Sequence, residues 1–346
     1  MSEFLTVGSA GEDVVIALAR RAADLHAAHR PSVVLHGIGD DTAVLAPEPG
    51  QRLLVSQDML VEDVHFRRDW SSPEWVGRKA VSVNVSDIAA MGGQPSALLS
   101  SVAFPPDLPL SWVERFFNGF AQAADDYGAA LVGGDTVASP GPVVLDVTVL
   151  GAVDRPSFRH GAEPGDVILV TGTLGLAHAG WRLLEAGSRW PGTSEAERAA
   201  LERQLTPTAR VAAGRILGAA AHALTDISDG LWRELSELTG QGVGAVVNAW
   251  ELPISPALRT LGGKRALFWA LSGGEDYELL AVVPPSRVEE VRRRLEAVRV
   301  PVSVVGAVDD GLGVRVRWRA GEEPTSWSPE AGDSFQHFGG GEARNG

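Results

Sequence analysis

The chain is 346 residues long and 45% hydrophobic, which suits a protein with two domains of ordinary size. Its formal net charge of −14 argues against nucleic-acid binding, because that function needs a basic surface. The chain has no cysteine, which excludes disulfides, thiolate metal sites and cysteine nucleophiles. It also lacks a basic leader and an apolar run of about 18 residues, so we expect a cytoplasmic protein that does not bind membranes.

The first part of the chain predicts strands that return over helices. Helical spacing of apolar residues predicts a helix over 12–28 and another over 111–128, where Ser111 and Glu114 have the spacing of a capping box. Alternating and β-branched runs predict several short strands. These strands cover residues 33–35, 43–46, 53–56, 81–85, 97–103, 129–137 and 142–153.

A second set of elements begins after residues 154–165, which are rich in turn-forming and charged residues. Its main predicted elements are strands at 166–172 and 277–283 and helices at 175–187, 194–220, 231–239 and 286–298. The pattern as a whole predicts the α/β (α+β) fold class. The expected domains are residues 1–155 and 156–338, followed by a flexible tail at 339–346.

Carboxylates recur where predicted strands meet glycine-bearing turns or a helix start. Any one of them fits a helix cap or a turn, but caps do not require placement at strand ends. Six stretches share this placement: they carry Asp40 with Asp41, Asp58, Asp87, Asp135, Asp226 with Asp229, and Glu275 with Asp276.

Carboxylates that converge need cations. Two like charges about 4 Å apart repel by about 4 kcal/mol at an effective dielectric constant of 20, so such a group protonates or recruits cations. Oxygen ligands without His or Cys favour Mg²⁺, with Ca²⁺ or Mn²⁺ as substitutes, and several Mg²⁺ ions imply a polyphosphate ligand. The chain has no P-loop and no protein-kinase motif set. ATP would therefore be held by metals and by the backbone of glycine turns.

These stretches, in this order, resemble the thiamine-monophosphate kinase family of the AIR-synthetase-like (PurM-like) superfamily. The matching stretches are GIGDDTAVL, VSQDMLVEDVHF, GRKAVSVNVSDIAAMGG, LVGGDTV, GAEPGDVILVTGTLG, TDISDGL and LSGGEDYELL, with a weaker match at GDSFQHF. GIGDD alone is typical of the whole superfamily, whereas NVSDIAAMG together with SGGEDYEL is more specific to this kinase family.

The resemblance implies a two-domain PurM-like fold and a reaction. The N-terminal ATP- and metal-binding domain would pair with its twin in a homodimer-spanning β-barrel, and the C-terminal domain would be α+β, with ATP between the two. The implied reaction is direct, Mg²⁺-dependent transfer of the γ-phosphoryl group of ATP to thiamine monophosphate, which gives thiamine diphosphate and ADP.

The resemblance also implies the site residues. Asp58, Asp87 and Asp135 would be catalytic, and several Mg²⁺ ions would be held by Asp40, Asp41, Ser56, Gln57, Asp58, Asp87, Asp135, Asp226 and Asp229. ATP would contact Gly134, Asp135, Arg159 and Ser228, and thiamine monophosphate would contact His65, Glu275 and Phe335. Gln57 stands where the family prefers Thr, so one metal contact would either be lost or be made by an amide oxygen. Phe335 stands where Trp or Tyr is equally expected, and an aromatic face suits a thiazolium cation.

Two alternatives stay open at this stage. One is another ATP-dependent synthetase of the same superfamily, although members that act through a cysteine are disfavoured by its absence here. The other is a non-enzymatic Ca²⁺-stabilised module, which the stretch DISDG faintly suggests without the twelve-residue EF-hand pattern.

Overall fold

The computed structural model describes residues 5–26, 32–38, 43–46, 49–239 and 242–329, and each half of it is built around a β-sheet. The first half has these elements: α1 (Val7–Ala10), α2 (Glu12–Leu25), β1 (Val34–His36), β2 (Val44–Leu45), β3 (Arg52–Val61), α3 (Pro73–Ala90), β4 (Gln94–Phe104), α4 (Leu110–Asp126), β5 (Ala130–Ala138) and β6 (Val144–Val153). Its main sheet has the order β3-β6-β4-β5, in which only the β4–β5 pair is parallel.

The second half has a larger sheet covered by helices. Its elements are β7 (Val167–Thr171), α5 (Leu176–Glu185), α6 (Glu195–Leu205), α7 (Val211–Gly218), β8 (Ala223–Ile227), α8 (Leu231–Thr239), β9 (Gly244–Asn248), α9 (Pro256–Gly262), α10 (Ala266–Ser272), β10 (Glu278–Val283), α11 (Val288–Ala297), β11 (Val302–Asp309), β12 (Gly313–Arg317) and β13 (Thr325–Ser326). The sheet order is β13-β12-β9-β11-β7-β10-β8. The predicted mixed α/β class is confirmed.

One sequence prediction is wrong in an informative way. The alternating run 81–85, predicted as a strand, lies inside helix α3. Ser72 caps this helix by accepting the N–H of Trp75, and Pro73 occupies its first turn, where a missing N–H costs nothing. The helix is buried along most of its length, so its β-branched residues pack on several sides at once and override their strand preference.

Two smaller predictions also need correction. The capping box predicted at Ser111 does not form, because α4 begins at Leu110 and its N-cap, Pro109, makes no side-chain hydrogen bond. The predicted helix 194–220 is two helices, α6 and α7, since Pro207 lies between them and cannot continue the hydrogen-bond ladder of α6.

Glycine lets α3 pack unusually close to its neighbours. A Cβ on Gly77 would lie 2.2 Å from the carbonyl oxygen of Phe116 in α4, and one on Gly119 would lie 2.1 Å from that of Glu74. On the other side, a Cβ on Gly214 of α7 would lie 2.1 Å from the carbonyl oxygen of Ala89. Helix α3 is therefore held between the two halves of the chain.

The four-stranded sheet is open in the part of the chain that the structure describes, so one chain does not close the predicted barrel. Strands β3 and β5 form its two edges. Strand β3 exposes large apolar side chains: Leu53, Val55 and Met59 are 59%, 62% and 54% exposed. No helix among the described residues is long and apolar enough to cross a membrane.

A buried ion-pair network fixes the start of β10. The Glu278 carboxylate accepts hydrogen bonds from Thr171 Oγ1 at 2.7 Å, from Arg210 Nε at 2.7 Å and from Arg203. Burial raises the pKa of Glu278, but the two arginines outweigh it, so its pKa lies below the ordinary value of 4.5. The network therefore stabilises the folded chain in the ionised form of Glu278.

We expect Glu278→Gln to lower the free energy of unfolding by about 3–5 kcal/mol at pH 7, because two partly buried guanidinium groups lose their counter-charge. Because the folded pKa is lowered, the contribution is complete above pH 4.5 and is lost as the pH falls through the folded value. Urea unfolding across pH should therefore show the difference from wild type shrinking at acid pH. The control Glu289→Gln, at an exposed residue of α11, should change little; a pH-independent difference would contradict this account.

Candidate active site

Helix α3 anchors the part of strand β3 that carries the predicted site residues Ser56 and Asp58. Ser56 Oγ donates a hydrogen bond to Asp87 Oδ2 at 2.5 Å, across from the strand to the helix. The backbone N–H of Asp58 donates to Asn84 Oδ1 at 2.9 Å, and the buried Asn84 amide is itself fixed by the carbonyl oxygen of Ala80. Asp58 and Asp87 are thus held on one junction by buried polar groups of α3.

The next contact crosses to the second half of the chain. Ser86 Oγ donates to Asp226 Oδ2 at 2.6 Å, and Asp226 on β8 is only 3% exposed. Adjacent residues of α3 therefore contact both sheets: Asp87 meets the first-half strand, and Ser86 meets the second-half strand. The sequence predictions for Ser56, Asp58, Asp87 and Asp226 converge at this junction.

Other carboxylates lie close enough to Asp58 to raise its pKa. Asp58 is exposed at the sheet edge, but neighbouring atoms partly desolvate its carboxyl group. This desolvation, followed by the charges of Asp87, Asp146 and Asp229, raises the pKa of Asp58 to about 6. A cation at this position would relieve that repulsion.

The same reasoning holds for the more deeply placed carboxyls. Burial and the charge of Asp87 raise the pKa of Asp226 to about 7, against the opposing hydrogen bond from Ser86 and the charge of Arg159. Burial also raises the pKa of Asp87. Arg159, which the sequence placed in a charged linker, therefore lies close enough to both carboxyls to act on them.

Arg159 is itself held by helix α8. Its Nη1 lies 2.5 Å from Glu237 Oε2 and 4.0 Å from Glu234 Oε2. Glu234 is buried, and burial followed by the charge of Asp226 raises its pKa to about 8. Glu234 carries no motif signal in the sequence, and only its place one turn into α8 brings it here.

The loops after β8 and before β10 are joined through their backbones. The N–H of Glu275 donates to the carbonyl oxygen of Ser228 at 2.6 Å, and a Cβ on Gly274 would lie 2.6 Å from that oxygen. Asp229 pairs with Arg233 one turn further on, with 3.4 Å between Oδ2 and Nε. The predicted ATP contact Ser228 and the predicted substrate contact Glu275 are thus immediate neighbours.

Glu275 faces the first half of the chain. Its Oε1 lies 2.7 Å from Nζ of Lys79 on α3, and its Oε2 accepts a hydrogen bond from Gln204 of α6. Lys79 Nζ also donates to the carbonyl oxygen of His65 at 3.3 Å. The predicted substrate residues His65 and Glu275 are therefore linked through Lys79. His65 and Lys79 line a small cavity whose wall also includes Trp70.

Gln57 and Asp146 occupy the other face of the sheet. Gln57 Nε2 donates to Asp146 Oδ2 at 2.6 Å, so the amide oxygen of Gln57 is left for another partner. Strand pairing places Asp146 opposite Met59, one residue out of step with Asp58, so these carboxylates leave the sheet on opposite sides.

The predicted residues Gly134 and Asp135 lie on the far edge of the sheet. Asp58 pairs with Val147, Val147 with Ser100, and Ser100 with Gly134, so three strand spacings of about 14 Å in total separate β3 from β5 at this level. Asp135 is exposed and accepts the N–H of Thr136 at 2.9 Å. Within one chain, the structure does not bring Asp135 to the junction around α3.

The donor set suits a hard cation. Carboxylate and hydroxyl oxygens line the junction, which fits Mg²⁺ rather than a thiophilic metal. Among the described residues, no group of three or more His, Asp or Glu is close enough to hold a metal by itself. Mg²⁺ usually takes only one or two carboxylates and completes its shell with water and phosphate, so the arrangement fits such an ion shared with a substrate.

Comparison with known proteins decides the family. The family model "AIR synthase related protein, N-terminal domain" matches residues 39–153, and "AIR synthase related protein, C-terminal domain" matches residues 163–319. The thiamine-monophosphate kinase of Bacillus subtilis (strain 168) is 37% identical over 284 residues, which cover 81% of this chain and 87% of that protein. The enzyme of Aquifex aeolicus is 38% identical over 296 residues, or 84% and 92% of the two chains.

The chain belongs to the thiamine-monophosphate kinase family. The crystal structure of the Stenotrophomonas maltophilia K279a member superposes with a TM-score of 0.80 at 36% identity, covering 90% of this chain and 98% of that one. A second structure, AaThiL complexed with AMPPCP and TMP, gives a TM-score of 0.71 at 35% identity, covering 91% and 96%. The predicted PurM-like fold is confirmed at this level.

Some residues predicted from the kinase family lie outside the described part of the chain: Asp40, Asp41 and Phe335. The sequence reasoning also missed Lys79, Asp146 and Glu234. A signal existed only for Lys79, which is one of two lysines in a chain with 30 basic residues. Asp146 and Glu234 stand in ordinary strand and helix patterns, and only tertiary structure places them near the other carboxylates.

A substitution of Gly134 tests whether edge strand β5 needs glycine at this position. Its φ of +155° and the 1.9 Å separation that a Cβ would have from the Ser100 carbonyl oxygen make alanine unfavourable there. We expect Gly134→Ala to lower the free energy of unfolding by about 1–3 kcal/mol in urea titrations. Gly141→Ala is the matched control, because nothing lies within 4 Å of its Cβ position; equal effects of the two variants would contradict the steric argument.

Proposed function

We propose that the protein is a thiamine-monophosphate kinase that transfers the γ-phosphoryl group of ATP directly to thiamine monophosphate, which gives thiamine diphosphate and ADP. The observation that carries this proposal is the junction around α3, where Asp58, Asp87 and Asp226 from both halves meet with raised pKa values. It is supported by the relatives named above and by the complex of AaThiL with AMPPCP and TMP.

The chemistry of the acceptor explains why the site is rich in carboxylates. A phosphate oxygen is already ionised near neutral pH, so the acceptor needs no general base. The obstacle is to bring two polyanions together in line, which depends on positioning and on neutralising charge. Bound Mg²⁺ would supply that neutralisation, and the chain's task is to orient the two phosphate groups.

We assign the predicted residues to three groups. Several Mg²⁺ ions would be held by Asp40, Asp41, Ser56, Gln57, Asp58, Asp87, Asp135, Asp226 and Asp229, of which Asp58, Asp87 and Asp135 are the catalytic set. Gly134, Asp135, Arg159 and Ser228 would contact ATP. The position of Arg159 beside Asp87 and Asp226 supports its part of this assignment. Gln57 and Asp135 lie away from that junction within one chain, so their assignment rests on the family resemblance alone.

His65, Glu275 and Phe335 would contact thiamine monophosphate. The thiazolium ring of this substrate is a cation, and a partly exposed carboxylate at Glu275 suits it. Ser228 accepts the backbone N–H of Glu275, so the residues assigned to the two substrates lie on hydrogen-bonded loops. That adjacency supports direct transfer between the bound substrates.

We further propose that two chains form a homodimer through their N-terminal sheets, closing the dimer-spanning barrel. The exposed apolar residues Leu53, Val55 and Met59 on edge strand β3 support this, because an unpaired apolar edge strand is a surface that proteins normally cover. The domain division at residues 1–155 and 156–338 is supported by the spans of the two family models. The cytoplasmic location stays a prediction.

The first test is a single incubation with ATP, Mg²⁺ and thiamine monophosphate, in which thiamine diphosphate and ADP are measured together. We expect equal amounts of both products, loss of both with EDTA, and a loss of at least about 100-fold in turnover for Asp87→Asn, because this variant removes a carboxylate that would hold Mg²⁺ beside the transferring phosphate. Asp107→Asn, at an exposed residue, is the control.

Other outcomes of this assay distinguish the alternatives. ATP consumption without thiamine diphosphate would indicate a sister synthetase of the same superfamily. No turnover, together with thermal stabilisation by Ca²⁺ alone, would indicate a structural calcium module.

A second test concerns the dimer. Val55→Asp places a charge on the apolar face of β3, where burial against a second chain would leave it unpaired. We expect sedimentation velocity to show a dimer for the wild type and a shift toward monomer for the variant. A wild-type monomer at micromolar concentration would contradict the proposed barrel.

A further inference from the structure

Lys79 is a buried cation at the boundary of the two halves of the chain. It is 5% exposed, although lysine is among the residues that are least often buried. The chain uses arginine for nearly all of its positive charge, and its only other lysine, Lys264, is exposed. A lysine at this buried position therefore needs a specific explanation.

The contacts of Lys79 match the three donors of an ammonium group in number. Its Nζ has three acceptors: Glu275 Oε1 at 2.7 Å, the carbonyl oxygen of His65 at 3.3 Å and that of Gln204 at 3.5 Å. An ammonium has three donors that point to different sides, whereas a guanidinium presents its donors in one plane. Lysine can therefore join three separate segments from one point.

Gln204 completes the arrangement around Glu275. Its side-chain Nε2 donates to Glu275 Oε2, and its backbone carbonyl oxygen accepts a hydrogen bond from Lys79 Nζ. Both carboxylate oxygens of Glu275 are thus held, one from α3 of the first half and one from α6 of the second half. The Oε1 atom of Gln204 is buried without a hydrogen-bond partner in the part of the chain that the structure describes.

The backbone of Glu275 needs this support. Its φ is +65°, and that of Tyr277 is +48°, both in the left-handed region that non-glycine residues seldom occupy. Such conformations persist only where the surroundings hold them. Three contacts stabilise this conformation of Glu275: the side-chain contacts with Lys79 and Gln204, and the backbone hydrogen bond to Ser228.

We propose that Lys79 is a positioning residue that, together with Gln204, fixes the Glu275 carboxylate for the cationic ring of thiamine monophosphate. This bridge between the halves, formed by Lys79, Glu275 and Gln204, sets the affinity for that substrate without touching the transferring phosphate. The inference rests on the proposed function for the identity of the substrate, but the bridge itself can be tested without turnover.

Kinetics of Lys79→Met test the substrate part of the proposal. We expect the KM for thiamine monophosphate to rise at least about tenfold, with kcat and the KM for ATP within about threefold of wild type, because only binding of one substrate is affected. Lys79→Arg should not restore the KM, since the planar guanidinium cannot meet the three acceptors. Gln204→Leu should raise the same KM, and Lys264→Met should leave all values unchanged.

Hydrogen exchange tests the bridge itself, with no substrate present. The amides of Glu275 and Tyr277 should exchange about tenfold faster in Lys79→Met than in wild type or Lys264→Met, because the loop loses one of its anchors. The variant Lys79→Met/Glu275→Gln should have the same KM as Glu275→Gln alone, since Lys79 acts through Glu275.

The results distinguish failure of the positioning role of Lys79 from failure of the proposed kinase function. Unchanged exchange and an unchanged KM in Lys79→Met would overturn the positioning role, as would full rescue by arginine or additive effects in the double variant. A wild-type protein that makes no thiamine diphosphate would overturn the proposed function instead, and the exchange rates would still decide whether Lys79 holds Glu275.

Discussion

The close packing of helix α3 against α4 and α7 fixes the candidate residues that meet on this helix. Backbones approach within distances that only Gly77, Gly119 and Gly214 allow, so the helix cannot shift or rotate without steric overlap. Its polar residues are therefore presented at fixed positions to both halves of the chain. Lys79, Asn84 and Ser86 are all buried on it, and each has a hydrogen-bond or ion-pair partner outside the helix.

Burying polar side chains on a central helix carries an energetic cost unless each is paired. Here the pairing partners are the candidate site residues: Asn84 holds the backbone of Asp58, Ser86 holds Asp226, and Lys79 holds Glu275. The same contacts thus satisfy the helix and orient the carboxylates. This explains how residues that are far apart in sequence reach one junction without a continuous active-site loop.

Much of the candidate site was predictable because its carboxylates stand in short stretches that together resemble the kinase family. The predictions for Asp58, Asp87, Asp226 and Glu275 depended on those stretches, although Asp58 lies inside β3 and Asp87 inside α3 rather than at strand ends. The structure brings these residues to two adjacent surfaces of α3. The surroundings were less predictable. The alternation of Val81, Val83 and Val85 favours a strand, and only burial on several sides makes it a helix. The position of Glu234 depends on the packing of α8, which has no local signature.

The charges at the junction around α3 explain why a metal-dependent mechanism suits this chain. Each described cation beside the site already has a carboxylate partner: Arg159 is paired with Glu237, Arg233 with Asp229, and Lys79 with Glu275. The carboxyls between them have pKa values raised by burial and by one another. Polyphosphate would therefore meet net negative charge rather than a lysine of the P-loop kind. Close approach of two phosphate groups requires added cations, and the same carboxylates that repel phosphate are the ligands that bind such cations.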